Sequence, residues 1–303
     1  MVFVVIVKLP LIGVSPIPTF FSYKFILDGC EKGYKPQNII VLDYDGNPAH
    51  INWNGDLNYD GMSDINGAAY ESVINATFSS FLPGHSRQLT PEDQLLVYVT
   101  DHGYAYNGVI SSMVLPPEPP NTTTYYYTSD EMKTNVQQIK CAQMIFIVQC
   151  CQSATFQDLV YDGSATTQNR IVQTAALLNE MAGTEIYITG GGTYEEFTYY
   201  LSASLRGYYP GSVPWKWGCK IGEFPFTTWH QNSDWNGHNH PADYNPDNGN
   251  PSAYNNPPPW GNVQAGNNDV NTQFYEAFNY ANCMDSYSQQ GYFNNSFRFH
   301  GVR

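Results

Sequence analysis

Apolar residues come in short continuous runs along this chain: Val2 to Val7, Ile39 to Leu42, Leu95 to Val99 and Met144 to Val148. None alternates apolar with polar, as a strand with one wet face would, so each predicts a strand buried on both faces. Between the runs the period changes. Phe20 to Lys32 has apolar residues at helical spacing and ends at Gly33, a residue suited to closing a helix. Ala68 to Leu82 predicts a further helix, and Ser129 stands where it would cap another running to Gln138. Ile171 to Ala176 predicts a short strand, and Tyr194 to Leu205 a helix stopped by Gly207. Strands alternating with helices predict an α/β sandwich with a mostly parallel sheet.

The polar stretches divide these elements. Residues 46–67 are rich in Asn, Asp and Gly, and a looser region after Gly103, with prolines at 116, 117, 119 and 120, reads as exposed loop. From about residue 208 the pattern changes, and Trp, His, Asn, Pro and Gly dominate as far as Gly266. So long a stretch is rarely structureless in a compact domain. Thr272 to Met284 returns to helical spacing. The expected organisation is a core over residues 1–207 and a loop-rich, aromatic and Asn-rich extension over 208–303, with its late helix packed on the core.

Composition narrows the function classes. At 303 residues and 42% apolar, the chain can bury a substantial core. Its 27 acidic residues against 13 basic ones give a net charge of −14, which argues against a nucleic-acid partner and fits cation binding. Six cysteines without C-x-x-C spacing make neither a disulfide scaffold nor an evident zinc site. No run is long enough to span a membrane. The opening apolar segment lacks the basic start of a signal peptide and is read as a first core strand.

Two of the predicted strands end in reactive residues. His102-Gly103 follows the Leu95 run, and Cys150-Cys151-Gln152-Ser153 follows the Met144 run. Ligands gather beyond the carboxyl ends of parallel strands, so this edge would receive both a thiol and an imidazole. An imidazole can take the thiol proton, or hold the thiolate as an ion pair, and later protonate a leaving amine. Gly103 lets a carbonyl come close to its amide, and the Cys151 amide is the natural second donor to an oxyanion. Taken singly, such a His is an ordinary polar residue and such a Cys a small buried hydrophobe. The two together carry the expectation.

At these residues the sequence resembles the caspase–legumain superfamily of cysteine peptidases, and among them microbial legumain-like, hemoglobinase-type proteins. Tyr98-Val99-Thr100-Asp101-His102-Gly103 is similar to the family's histidine motif, and Gln149-Cys150-Cys151-Gln152-Ser153 to its nucleophile motif. Cys151 follows His102 by 49 residues, close to the roughly 50 expected in caspases. Thr174-Ala175-Ala176 followed by Asn179-Glu180 resembles a pocket-forming strand and loop, and Glu196 to Leu201 and Glu276 to Ala281 resemble later helices. The resemblance implies a caspase–hemoglobinase-like three-layer sandwich, with Cys151 rather than Cys150 as nucleophile, and a peptide or protein substrate. It also implies a substrate pocket at Gln152, Glu180 and Ala182. The chain departs from the pattern there: Gln152 stands where legumain has an acid, and Ala182 where it has Ser. An asparaginyl preference is therefore not implied.

One further motif concerns metal. Asp56, Asn58, Asp60 and Asp64 occupy the first, third, fifth and ninth positions of an EF-hand-type loop, Gly61 the sixth, and Met62 would offer its carbonyl. The twelfth position is Gly67, so the loop is closer to dockerin and thrombospondin-type calcium repeats, and a structural calcium ion is expected. Weaker loops begin near Asp243 and Asn267, and His230, His238 and His240 read as loop histidines. Calcium loops favour an extracellular or secretory setting. Two rival readings remain: a binding or structural protein on the same fold with a decayed site, and a carbohydrate-binding module using the Trp-rich stretch from Trp215 to Trp260.

Overall fold

The apolar runs become neighbours in one sheet. In a computed structural model of the chain, which describes residues 2–8, 35–50, 56, 61–106, 110–160, 169–176, 182, 185–188, 192–195, 197–199, 201, 208–210, 217–220 and 298–301, they form β1 (Val2–Lys8), β2 (Ile39–Asp43), β4 (Gln94–Thr100) and β8 (Gln143–Gln149). With β3 (Ile65–Gly67), β9 (Asn169–Thr174) and β14 (Arg298–Gly301) they build a seven-stranded sheet in the order β14-β9-β8-β4-β1-β2-β3. All pairings are parallel except that of β14 with β9. The fold is therefore mixed α/β with a mostly parallel sheet, as the alternation of periods predicts.

Burial on both faces explains the continuous runs. Leu95, Val97 and Val99 of β4 and Met144, Phe146 and Val148 of β8 share a core with Ile74 and Phe78 of α1 (Glu71–Ser80) and Met132 and Val136 of α2 (Ser129–Val136). The intervening Leu96, Tyr98, Ile145 and Ile147 are buried as well. Truncating one such aromatic, Phe146, to Ala would cost about 3–5 kcal/mol. A half-buried polar group ties the helices together: Asn135 Nδ2 donates to Asn75 Oδ1 at 2.6 Å and to the Tyr127 hydroxyl at 2.8 Å.

Several local expectations are corrected. The helix predicted over 68–82 is shorter, Glu71–Ser80, and the Ala69 N–H before it donates instead to the Tyr44 carbonyl at 2.9 Å. The cap of α2 is Thr128, not Ser129: the Thr128 hydroxyl accepts from the Glu131 N–H at 3.2 Å, and Glu131 Oε2 accepts from the Thr128 N–H at 2.7 Å. This reciprocal box satisfies two amides, which Ser129 has no partner to match. Residues 65–67, read as loop, form β3, pinned to β2 by Asn66 Oδ1, which accepts from the Val41 N–H at 2.7 Å.

The region after Gly103 is also more ordered than expected. It is a three-stranded antiparallel sheet of β5 (Gly103–Tyr106), β6 (Ile110–Leu115) and β7 (Tyr125–Thr128), while the proline run between β6 and β7 stays outside the strands as expected. Tyr194 and Glu195 are not helical. They lie in β11 (Gly192–Glu195), paired with β10 (Glu185–Ile188), where Tyr194 faces Ile186, and helical backbone is found at 197–199 and 201. A short antiparallel pair, β12 (Tyr208–Pro210) and β13 (Trp217–Lys220), falls in the stretch read as loop-rich.

The chain divides into two compact units: Met1–Ile17, Gly29–Ala182 and Phe297–Arg303 in one, Pro18–Asp28 and Gly183–Ser296 in the other. The helices predicted at 20–32 and 272–284 lie outside the described residues. Among the described residues, no helix is long and apolar enough to cross a membrane.

Candidate functional site

The register of β4 against β8 brings the two reactive ends to one level. Thr100 pairs with Gln149 as the last rung, and the Asp101 N–H extends the ladder to the Gln149 carbonyl at 3.0 Å. His102 and Cys151 each stand two residues beyond that rung, on neighbouring strands about 4.8 Å apart. The position is also topologically special. From the β1–β4 pair the chain builds outward in both directions, so the reversal of strand order lies beside β4, where open α/β sheets form a crevice.

Gly103 is where the two segments meet. A Cβ on this residue would lie 1.8 Å from the Cys151 carbonyl oxygen, 2.8 Å from its carbonyl carbon and 2.9 Å from its nitrogen. All three are backbone atoms that cannot rotate away. Glycine is thus required by contact, and His102-Gly103 and Cys151 are brought together. The adjoining ladder orients the Gly103 amide. The Val114 N–H donates to the His102 carbonyl at 3.1 Å, making residues 102 and 114 a hydrogen-bonded pair. In an antiparallel ladder the next residue turns its own N–H and C=O away from that partner, so the Gly103 amide points away from β6.

The described cysteines differ sharply in environment. Cys150 is buried within the apolar core, and Cys141 is buried, with desolvation pushing its thiol up to about 11. Cys151 is half-buried in the turn after β8, and its Sγ accepts a hydrogen bond from the Ala182 N–H at 3.3 Å. His102 and Gly103 are half-buried at the same edge. Gln152 follows in left-handed backbone, φ 57°, which costs a residue with a Cβ about 1–2 kcal/mol. Ser153 is buried, accepting from the Ala176 N–H at 2.9 Å and donating to the Ala176 carbonyl at 3.4 Å. The turn is thus clasped by the chain that follows β9.

Of the predicted site residues, His102, Gly103, Cys151 and Ala182 are brought to one edge, with Gln152 next in the chain. Glu180 lies outside the described residues. Ala182 enters by its backbone amide rather than as a pocket side chain, and Ser153, which the sequence offers only as part of the nucleophile motif, acts as a clasp on the turn. Nothing in residue type announces an amide donor, whereas a serine two places after the cysteine could have drawn attention to the clasp.

Of the predicted calcium loop, Asp56, Met62 and Asp64 are described, while Asn58 and Asp60 are not. Gly61 takes φ 89°, and its N–H donates to Asp56 Oδ2 at 2.9 Å. The sharp turn required of the sixth position is therefore present, folding back onto the first. Among the described residues, no group of three or more His, Cys, Asp or Glu is gathered as a metal would require. The weaker loops near Asp243 and Asn267, and His230, His238 and His240, lie outside the described residues. Set against known proteins, the chain matches no family model and no curated protein.

Proposed function

We propose that this chain is a cysteine endopeptidase of caspase–legumain type, on a caspase–hemoglobinase-like three-layer sandwich, with Cys151 as nucleophile and His102 as general base and acid. The Cys151 sulfur attacks a peptide carbonyl while His102 takes the thiol proton. The oxyanion is held by the Gly103 and Cys151 amides. His102 then protonates the departing amine, and water hydrolyses the acyl-thioester. The observation that carries this reading is the close approach of Gly103 to the Cys151 backbone, since it sets the residue after the histidine against the nucleophile. The outward turn of the Gly103 amide from β6 and the half-exposure of Cys151 support it further.

A panel of peptidyl electrophiles should label Cys151 alone, and Cys151→Ala and His102→Ala should each abolish hydrolysis of a peptide library. Undiminished hydrolysis by the Cys151→Ala protein overturns the proposal. Labelling without turnover by the parent would favour the binding-protein reading on the same fold.

The proposal includes a structural calcium ion held by Asp56, Asn58, Asp60, Asp64 and the Met62 carbonyl. The turn at Gly61, closed onto Asp56, supports it. Calorimetric titration should give binding heat that vanishes in Asp56→Ala/Asp60→Ala, and no heat in the parent removes the ion from the proposal.

A further inference from the structure

Two residues of the turn after β8, Cys151 and Ser153, are each held by backbone that follows β9. Ala176 exchanges hydrogen bonds with the Ser153 hydroxyl at 2.9 and 3.4 Å, and the Ala182 N–H reaches the Cys151 sulfur at 3.3 Å. The first contact fixes the backbone of the turn; the second fixes the sulfur itself. A neutral thiol is a weak acceptor, but a thiolate is a full anion, and a hydrogen bond to an ionised group is about twice as strong as a neutral one. An amide aimed at the sulfur therefore favours the form that attacks. The donor is main chain, so the identity of side chain 182 does not matter to the contact, and only loss of the N–H removes it.

We infer that the Ala182 backbone amide is a positioning group for Cys151, holding the sulfur in one orientation and giving its thiolate a hydrogen-bond donor distinct from the oxyanion pair. The inference rests on the reading of Cys151 as nucleophile, but its physical content is the reactivity of one sulfur, which can be measured without any peptide substrate.

The test compares the parent with Ala182→Pro, which lacks the N–H, and Ala182→Gly, which keeps it, by the rate of Cys151 alkylation with iodoacetamide. The expected result is a fall of about tenfold for proline and little change for glycine, tenfold corresponding to about 1.4 kcal/mol, the worth of one such bond. With a cleaved peptide in hand, kcat should fall in the proline variant while KM stays near the parent value. Equal rates in all three proteins, or an equal fall in both variants, overturn the inference. If the proline variant does not fold, amide hydrogen exchange decides. Exchange at Ala182 should rise about tenfold in Cys151→Ala, while Ala175, whose N–H donates to the Val148 carbonyl at 3.1 Å, stays protected. Unchanged exchange at Ala182 overturns the inference equally. A parent protein in which Cys151 is no more reactive than Cys150 or Cys141 would instead remove the nucleophile reading beneath it.

Discussion

Among the described residues, β7 leads directly into helical backbone and β8 does so through a short turn, and the two junctions are built on different terms. Where β7 passes into α2, Thr128 and Glu131 satisfy each other's amides and hydroxyl, and Glu131 also accepts from the Tyr125 hydroxyl. Where β8 passes into the 3₁₀ segment Ser153–Val160, Gln152 sits in left-handed backbone, Gly103 is pressed against Cys151, and Cys151 itself is only half-buried at the corner. Within that segment, Thr155 Oγ1 and Asp158 Oδ1 are buried without a hydrogen-bond partner among the described residues. The first junction spends its sequence on stability. The second carries a left-handed residue that the surrounding contacts hold in place.

The sharpest way to break this contrast is Gly103→Ala. A methyl group there must displace the Cys151 backbone, so alkylation of Cys151 should collapse and stability should fall by about 1–3 kcal/mol, the usual cost of forcing atoms into packed space. Denaturant titration with labelling in parallel checks both. Retained labelling would mean the two segments are not held together as described.

Next in size is the satisfied junction. Thr128→Ala should cost about 1 kcal/mol through loss of the cap and leave Cys151 alkylation unchanged. A loss of labelling there would show that the two junctions are not independent.

At the strained corner the sign should reverse. Gln152→Gly relieves about 1–2 kcal/mol of left-handed strain against about 0.5–1 kcal/mol of added chain entropy, so a net gain of roughly 0.5–1 kcal/mol is expected. Gln152→Val should destabilise instead. Thermal melts of the pair decide whether the strain is real.

The smallest effect concerns pH. Burial holds the Asp158 carboxyl above its ordinary value, with Lys133 opposing and Asp130 reinforcing the shift. The folded protein therefore binds the Asp158 proton more tightly than the unfolded chain does. Its contribution is favourable below the unfolded carboxylate range and is lost as pH rises through the raised folded value. Asp158→Asn should stabilise the protein modestly at neutral pH, with the advantage shrinking on acidification. An advantage that grows with acid would contradict the burial of this carboxyl.

Much of the core could be read directly because its cause is local and repeated. A five-residue stretch such as Leu95 to Val99, apolar at every position, has few solutions other than a strand covered on both sides. The elements that escaped are those whose outcome depends on distant partners. Ile65–Gly67 is a strand because Asn66 reaches Val41, and Tyr194 is extended because it faces Ile186. The cap of α2 moved from Ser129 to Thr128 because the reciprocal bond of Glu131 outweighs a lone hydroxyl. The candidate site divides the same way: the residue types and their spacing were visible, whereas the amide of Ala182 on the sulfur was not.

What the chain's order alone determined is the set of buried parallel strands and the chemistry carried at two of their ends, since hydrophobic periodicity and residue type act within a few positions. Only the folded arrangement decided that rung 100–149 sets His102 and Cys151 level, that Cys150 is packed away while Cys151 is not, and that Gly103 must be glycine. Those outcomes depend on register and on contact between segments far apart in the chain, and a single missing Cβ shows its purpose only when the backbone it makes room for is in place.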